Sequence, residues 1–396
     1  MLTLDKVFNA QSVLKKIIRE TPLVRAYGIA PDCELYLKPE NLQITGSFKV
    51  RGSAYKIAML SDEEKQKGVI ACSAGNHAQG VALAATKNGI SSLICLPDTA
   101  PISKVEATKG FGAQVCLVPG CYDDAYEKAL SLKEQEGYTF VHPFDDENVI
   151  AGQGTIALEI LNDLDNIDAI VVPVGGGGLI SGIAYTAKQI RPSVKIYGVQ
   201  VAGAASMYNS VKHSQIECLD SVHTIADGIA VKQPGENTFR YVNDYVDDIA
   251  LVTDDEVSSA ILALIEKQKM IAEGAGAAAV AAVMFDKFAL KGKRVVSIVS
   301  GGNIDVTSLS RVIERGLFQS GRSSSLLIEL LDKPGQLKDI SRIIADCGAN
   351  VTGVHYEKGN TESVNGCFLR IEMETRDYAH VHLIMESLRR EGFKIV

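Results

Sequence analysis

Lys49 lies in the stretch TGSFKVRG (45–52), between a phenylalanine and a valine and directly after a turn of small residues. Most lysines are solvated surface charges, because lysine is almost never fully buried without a partner. A lysine amine inside a cleft has a further use, since it can form a Schiff base with an aldehyde or act as a general base. The chemistry of Lys49 therefore depends on the groups that the fold brings to it.

A run of four glycines follows an apolar stretch in VPVGGGGLISG (172–182). Glycines at the end of a buried strand let backbone N–H groups approach a phosphate at the positive end of the next helix. The dinucleotide spacing G-x-G-x-x-G is not met here, and no lysine follows Gly182 as it does in the nucleotide P-loop. The alternative is a tight turn that only allows close backbone packing. We interpret the run as a site for one phosphate.

Two other apolar stretches also end in small hydrogen-bonding residues. CSAGNHAQG (72–80) places the Ser73 hydroxyl and several backbone amides where a helix begins, which suits a carboxylate. The alternative is ordinary helix capping by Ser73 or Asn76, and His77 taken alone is more often a structural histidine. IVSGGNID (298–305) is a third apolar strand with such an end. Because ligands bind beyond the carboxyl ends of parallel strands, the three ends predict one cleft.

A phosphate site, a carboxylate site and a lysine together indicate pyridoxal 5′-phosphate acting on an amino acid, because the aldehyde of this cofactor reacts with an amine. The motifs TGSFKVRG, SAGNHAQG, GGGGL, TIADGIAV (224–231) and SGGN occur in the same order as in threonine dehydratases. Residues 1–316 thus resemble these enzymes, also called threonine ammonia-lyases, of the fold type II group. The resemblance implies a two-lobed, tryptophan-synthase-β-like α/β fold with parallel sheets and a smaller mobile lobe at about 46–148.

The resemblance also assigns roles to the residues at matching positions. Lys49 would form the Schiff base and, once freed by the substrate amine, would remove the Cα proton. Ser300 would face the pyridine nitrogen and, as a neutral group, would favour β-elimination over transamination. The products would be 2-oxobutanoate and ammonia from L-threonine, or pyruvate and ammonia from L-serine. The other implied contacts are Phe48 beside the cofactor ring, Asn76 at its phenolic oxygen, Gly175, Gly176, Gly177, Gly178 and Leu179 at the phosphate, and Ser73, Ala74, Gly75 and His77 at the substrate carboxylate.

Other functions are compatible with parts of this pattern. Serine racemases resemble the chain but use a serine where this sequence has Ala74, which has no exchangeable proton. Related racemases also bind a divalent cation, where this chain has Gln200 and Ser206 in place of acidic ligands. Neutral oxygens hold Mg²⁺ or Ca²⁺ poorly, so we expect no metal there, while a monovalent cation stays open. A different fold type II reaction, such as cysteine or threonine synthesis, and an amino-acid-sensing protein with an inactive catalytic scaffold are the further alternatives.

The elements that must position these residues alternate along the chain. Short apolar runs such as GVIAC (68–72), SLICLP (92–97) and AIVVPV (169–174) each lead into a longer helical pattern. Continuous Val/Ile/Leu runs indicate strands buried on both faces, and their alternation with helices indicates βαβ units. The pattern therefore predicts an α/β fold with parallel sheets.

The composition changes near residue 316, where GLFQSGRSSS is rich in glycine and serine and predicts a linker at 317–322. Residues 323–396 follow the order βαββαβ, which predicts a ferredoxin-like domain and resembles a single ACT-like regulatory domain. Pro334 and Gly335 stand at a predicted helix start, a place suited to the carboxylate of an amino-acid effector. The resemblance implies a homodimer or homotetramer that responds to a small amino-acid or nucleotide effector.

The overall composition argues against several classes of partner. A net charge of −8 does not suit nucleic acid, which needs clustered Lys and Arg. The longest uncharged run, 169–187, contains Pro173 and five glycines, so a membrane helix is not expected. The N-terminus lacks the apolar core of a signal peptide, and the eight cysteines include no C-x-x-C pair, which predicts reduced thiols. We therefore expect a cytoplasmic protein without nucleic-acid or membrane partners.

Overall fold

The apolar runs that precede helical patterns fold as buried parallel strands, as predicted. The computed structural model describes residues 1–357 and 366–396, which divide into two units, Met1–Leu309 and Ser310–Val396. The strands of the first unit are β1 (Val24–Arg25), β2 (Glu34–Pro39), β3 (Val69–Cys72), β4 (Ser92–Pro97), β5 (Gln114–Val118), β6 (Thr139–Phe140), β7 (Ala169–Pro173), β8 (Lys195–Val201), β9 (Asp248–Val252) and β10 (Arg294–Val299).

These strands form two sheets, one for each lobe of the first unit. The small lobe has the order β5-β4-β3-β6, and its strands are all parallel. The large lobe has the order β1-β2-β10-β7-β8-β9, in which only β1 is antiparallel. The two lobes and their parallel sheets confirm the predicted fold class.

Helices connect the strands and cover the sheets. The close approach of α2 to α7 depends on glycine, because a Cβ on Gly52 would lie 2.8 Å from the Val149 carbonyl oxygen. The helices that begin in this unit are α1 (Leu4–Leu14), α2 (Lys49–Ala58), α3 (Asp62–Lys67), α4 (Asn76–Lys87), α5 (Ile102–Gly110), α6 (Tyr122–Glu136), α7 (Glu147–Asp163), α8 (Gly178–Ile190), α9 (Ser206–His213), α10 (Glu236–Tyr245), α11 (Asp254–Ala263), α12 (Gly274–Met284) and α13 (Val306–Gln319).

The second unit has the predicted βαββαβ order and an antiparallel sheet. Its sheet order is β12-β13-β11-β14. Leu326, Ile328 and Ile371 from the sheet pack with Ile340 and Ile384 from the helices in one apolar core. The elements are β11 (Ser323–Leu331), α14 (Gln336–Asp346), β12 (Asn350–Glu357), β13 (Gly366–Glu374), α15 (Tyr378–Arg390) and β14 (Lys394–Ile395).

The segment predicted as a linker at 317–322 is shorter in the structure, because α13 continues to Gln319. Val312 and Gly316 lie on a buried face of that helix. Packing of this face stabilises the helix as far as Gln319, although the local sequence has no strong helix propensity. The end of the catalytic domain at residue 316 stays a prediction. Nowhere in the described residues is there a helix both long and apolar enough to cross a membrane.

Candidate active site

The turn that carries Lys49 is bound to the loop that follows β10. The Phe48 N–H donates to the Ser300 carbonyl at 3.1 Å, and the Gly302 N–H donates to the Gly46 carbonyl at 2.9 Å. Gly46 has φ +69°, and a Cβ there would lie 2.2 Å from Asn303 Oδ1. Because only glycine fits this left-handed, crowded position, the motifs TGSFKVRG and SGGN are joined by backbone geometry.

Lys49 is the first residue of α2, and its side chain is partly buried. Its Nζ donates to the Pro143 carbonyl at 2.9 Å and lies 5.3 Å from the centre of the Phe48 ring. Burial lowers the pKa of Lys49 from 10.5 to about 8, although the Glu273 carboxylate acts in the opposite direction. A substantial fraction of the amine is therefore neutral, and nucleophilic, near pH 8.

The glycine run lies between β7 and α8 and is packed on several sides. Gly177 has φ +97° and is the N-cap of α8. A Cβ on Gly176 would lie 2.5 Å from the Phe144 ring, and one on Gly177 would lie 2.7 Å from Thr238 Cβ. The first N–H groups of a helix have no partner within the helix, so the amides at the start of α8, among them those of Gly178 and Leu179, are available to an anion.

Pro143 and Phe144 bring Lys49 and the glycine run into one site. The Pro143 carbonyl accepts from Lys49 Nζ, and the next residue, Phe144, packs on Gly176 and Gly178. Val231 and Ile229, from the motif TIADGIAV, border Gly175 on another side. Three of the predicted motifs therefore meet at the carboxyl ends of the strands.

Residues 73–77 comprise the loop between β3 and α4 and the first two residues of α4, and residues 73–76 are partly exposed. The Gly75 N–H donates to Ser73 Oγ at 3.1 Å, and Ala74 between them is accessible. The side chain of His77 does not face the substrate position. Its Nε2 donates to the Val141 carbonyl at 2.8 Å, and burial lowers its pKa to about 3. Only the backbone of His77 remains available for a carboxylate, because the imidazole is a neutral group of the core.

Both ends of the Asn76 amide are held by the large lobe. Nδ2 donates to Glu273 Oε1 at 2.7 Å, and Oδ1 accepts from Asn303 Nδ2 at 2.8 Å. Asn303 also donates to the Thr45 carbonyl. An amide nitrogen has two N–H donors, so one donor of Asn76 remains for a ligand oxygen.

Ser300 is the last polar residue of the predicted set. Its side chain is 2 % exposed, and its hydroxyl donates to the Ala275 carbonyl at 3.3 Å. The hydroxyl is neutral, as the sequence predicts for a partner of a pyridine nitrogen. The amine, the glycine amides and this hydroxyl match the reactive and anionic groups of pyridoxal 5′-phosphate, so the residues present fit the cofactor.

Comparison with known proteins agrees with this fit. The family described as pyridoxal-phosphate dependent enzyme matches residues 14–301. The chain belongs to the pyridoxal-phosphate dependent enzymes. In this pyridoxal-phosphate dependent enzyme, residues 321–391 match the ACT domain, so the second unit is an ACT domain.

The relatives of this pyridoxal-phosphate dependent enzyme include ammonia-lyases and racemases. Over all of its length, and 99% of the relative's, the chain is 47% identical to an L-threonine ammonia-lyase of Thermotoga maritima. The solved threonine deaminase isoform 2 of Solanum lycopersicum has a TM-score of 0.77 and 39% identity, covering 80% of this chain and 88% of that one. Maize serine racemase has a TM-score of 0.75 and 35% identity, covering 80% and 98%.

Three charged residues at the cleft, Glu273, Lys104 and Asp227, were not predicted from the sequence. Glu273 is 5 % exposed and precedes α12, and burial raises its pKa to about 7. Lys104 Nζ lies 2.8 Å from Asp227 Oδ2 and joins the small lobe to the large one. The only local signal for Glu273 is a single acidic residue directly before the small-residue helix GAGAAAVAAV.

The two residues considered for a cation have partners within the protein. Gln200 Oε1 accepts from the Tyr208 N–H at 2.7 Å, and Ser206 Oγ donates to the Val231 carbonyl at 2.7 Å. Within residues 1–357 and 366–396, no group of three or more His, Cys, Asp or Glu side chains is arranged to hold a metal ion.

Proposed function

We propose that this enzyme converts L-threonine to 2-oxobutanoate and ammonia, with L-serine as a secondary substrate that yields pyruvate and ammonia. The observation that carries the proposal is the Lys49 amine, its pKa lowered to about 8, joined through Pro143 and Phe144 to the glycine run. The names of the relatives support threonine as the main substrate. Pyridoxal 5′-phosphate supplies an aldehyde for the substrate amine and a ring that accepts the electrons of the Cα–H bond.

The residues around Lys49 hold and orient the reactants. The amides of the glycine run and the N-terminus of α8 would bind the phosphate. Ser300 would contact the ring nitrogen without a charge, and the second N–H of Asn76 would contact the phenolic oxygen. The loop of residues 73–77 binds the substrate carboxylate through its amides, with Ala74 facing the substrate without an exchangeable proton.

Lys49 moves the proton in the reaction. As a neutral amine it takes the proton from the substrate Cα to Nζ, and a pKa near the working pH makes it an efficient general base. The β-hydroxyl leaves as water with one added proton, which balances the proton that Nζ took from Cα, and an unsaturated amine remains. This amine takes up water and hydrolyses to the 2-oxo acid and ammonia. The carbonyl of Pro143 accepts from Nζ and keeps the amine directed toward the cleft.

Steady-state kinetics with L-threonine and L-serine tests this function. The enzyme with bound cofactor should form 2-oxobutanoate with a higher kcat/KM than pyruvate. One methyl group in an apolar pocket contributes about 1–3 kcal/mol, so both substrates should react. Formation of D-serine or D-threonine without 2-oxo acid would instead indicate a racemase, and no visible absorbance with added cofactor would indicate an inactive scaffold.

The ACT domain gives the proposal a regulatory part. Pro334 and Gly335 lie at the start of α14, and a cavity of about 700 Å³ next to them is lined by Lys333, Gln336 and Arg342, among others. An amino acid such as isoleucine or valine suits this mixed-charge setting, in an enzyme that is a homodimer or homotetramer. The free state of all eight cysteines supports a cytoplasmic location.

Truncation tests the regulatory part. A chain that ends at Gln319 should keep substantial turnover, because none of the catalytic groups lies beyond it. In the full chain, isoleucine, valine or a nucleotide should change the activity through a coupling free energy of about 1–3 kcal/mol. The truncated chain should lose this response. The same response in both chains, or none in the full chain, would contradict a regulatory role of the ACT domain.

A further inference from the structure

Four charged residues alternate in sign across the cleft between the lobes. The small lobe contributes the cations Lys49 and Lys104, and the large lobe contributes the carboxylates Glu273 and Asp227. Lys104 and Asp227 form an ion pair at 2.8 Å. The charges of Asp227, Lys104 and Lys49 each act on the pKa of Glu273, so this carboxylate interacts with all three other groups.

The backbone around Glu273 leaves space for a buried carboxylate. A Cβ on Gly301 would lie 2.3 Å from Glu273 Oε1, and one on Gly228 would lie 3.4 Å from it. The Glu273 N–H donates to the Gly301 carbonyl at 3.1 Å. Two glycines from separate loops thus border the carboxylate, which receives the 2.7 Å hydrogen bond from Asn76 Nδ2.

We propose that Glu273 is a positioning residue with two effects: it supplies the carboxylate that faces the Lys49 amine, and it fixes the direction of the Asn76 amide. The first effect is electrostatic, because Glu273 is hydrogen-bonded to Gly301 of the loop that pairs with the turn before Lys49, and a carboxylate close to a partly buried amine stabilises its ammonium form. The second effect is geometric, because an acceptor on one N–H of Asn76 directs the other toward the cofactor. The inference rests on the proposed function in one respect only, which is the role of Lys49 as the base of that reaction.

The charges that face Glu273 are consistent with this role. Burial and Asp227 raise its pKa to about 7, whereas the Asn76 hydrogen bond, Lys104 and Lys49 act in the opposite direction. Glu273 in turn raises the pKa of Lys49, which burial lowers. Asp305 acts on Lys104 rather than on Lys49.

Two substitutions separate the two effects in the protein without cofactor. Glu273→Gln keeps the length and an acceptor oxygen but removes the charge, whereas Glu273→Asp keeps the charge but shortens the reach to Asn76. Asp305→Asn is the matched control, because it removes a nearby carboxylate that does not act on Lys49. The measurements are the pH dependence of Lys49 acylation, followed by peptide mass spectrometry, and the Kd of pyridoxal 5′-phosphate from absorbance titration.

We expect the pKa of Lys49 to fall by about one pH unit in E273Q and to stay near its original value in E273D and D305N. We expect the Kd of the cofactor to rise about tenfold in E273D, as for the loss of one hydrogen bond, and to change less in E273Q. An unchanged Lys49 titration in E273Q overturns the electrostatic effect. An unchanged cofactor Kd in E273D overturns the geometric one.

The unsubstituted protein provides a second test if E273Q fails to fold, as judged by circular dichroism. Its Lys49 acylation should titrate near pH 8, and titration near the ordinary lysine pKa overturns the proposal, because no partly buried amine would then face Glu273. Because no experiment in this set uses threonine, a failure here is distinguishable from a failure of the proposed reaction.

Discussion

Lys49 and Arg51 are two residues apart on α2, yet they belong to charge clusters with opposite properties. The sealed cluster consists of Arg51, Lys38, Glu40 and Glu159, none of which is more than 5 % exposed. Arg51 Nε lies 2.7 Å from Glu40 Oε2, and Arg51 Nη1 lies 2.5 Å from Glu159 Oε1. Lys38 Nζ lies 2.6 Å from Glu159 Oε2. Two cations and two carboxylates are therefore paired at hydrogen-bond distance.

The cleft cluster, which consists of Lys49, Glu273, Lys104 and Asp227, has the same charges but fewer direct pairs. In the sealed cluster the pKa of Glu40 is lowered and that of Arg51 is raised, since the attraction of the partners exceeds the cost of burial. In the cleft cluster burial dominates at Lys49 and Glu273, whose pKa values lie near 8 and 7, whereas Lys104 beside Asp227 has a raised pKa. The comparison shows that close ion pairs keep side chains in their charged forms across the physiological pH range. Groups that are buried without such pairs have pKa values near neutral pH and can therefore transfer a proton.

Lys49→Ala should have the largest effect, on catalysis rather than on folding. It removes both the group that would hold the cofactor covalently and the general base. We expect kcat with L-threonine to fall at least about 10³-fold, with an unchanged circular dichroism spectrum. Near-normal formation of 2-oxobutanoate by this variant would exclude Lys49 from the reaction.

Arg51→Ala should reduce stability instead. It leaves the Glu40 and Glu159 carboxylates buried without their main partner, which costs about 3–5 kcal/mol of unfolding free energy. Arg294→Ala is the control, because Arg294 and Glu34 form a partly exposed pair at 3.1 Å that contributes at most about 1 kcal/mol. Urea denaturation of both variants provides the comparison. Equal losses would show that the sealed cluster does not stabilise the fold as its geometry implies.

Glu273→Gln should change how stability depends on pH. The pKa of Glu273 rises from 4.5 to about 7 on folding, so between these values the folded protein binds more protons than the unfolded chain. Its contribution to stability is therefore present below pH 4.5, falls as the pH rises, and is lost above pH 7. The variant should lack this loss and gain about 3 kcal/mol over the original protein at pH 7.5, but almost nothing at pH 4.5. Parallel stability curves measured from pH 4 to 8 would contradict the raised pKa.

Lys104→Ala should have the smallest effect. The pair with Asp227 is partly exposed, at 20% and 62% for the two side chains, so its loss should cost about 0–1 kcal/mol. The cost should decrease in high salt because exposed pairs are screened. Since Lys104 lowers the pKa of Glu273, its removal should also shift the Lys49 titration slightly. A stability loss that salt does not reduce would place this pair with the sealed cluster instead.

Short, contiguous motifs were predictable because a strand, its terminal small residues and the next helix lie together in the sequence. The glycine run, Ser300 and the βαββαβ order of the ACT domain are of this kind. Lys49 was predictable only through its motif, since its environment comes from Pro143 and Glu273, far along the chain.

Tertiary contacts decide the parts that the sequence did not indicate. The burial of Glu273 depends on Gly228 and Gly301, which come from two other segments. The side chain of His77 enters the core because the Val141 carbonyl accepts from it, a partner that no local pattern reveals. The helical residues 317–319 look like a linker by composition, and the buried face of α13 determines their conformation.

The pairing of β2 with β10 has a consequence for synthesis on the ribosome. Residues 34–39 and 294–299 are adjacent parallel strands, so the large-lobe sheet stays incomplete until nearly the whole catalytic unit has been translated. The small-lobe sheet uses only residues 69–140 and can form earlier. The turn at Gly46 and Phe48 receives its backbone partners only when Ser300 and Gly302 emerge. A nascent chain therefore lacks the backbone partners of the turn before Lys49 for most of its translation, and the surroundings of this lysine are completed only after β10, the last strand of the first unit.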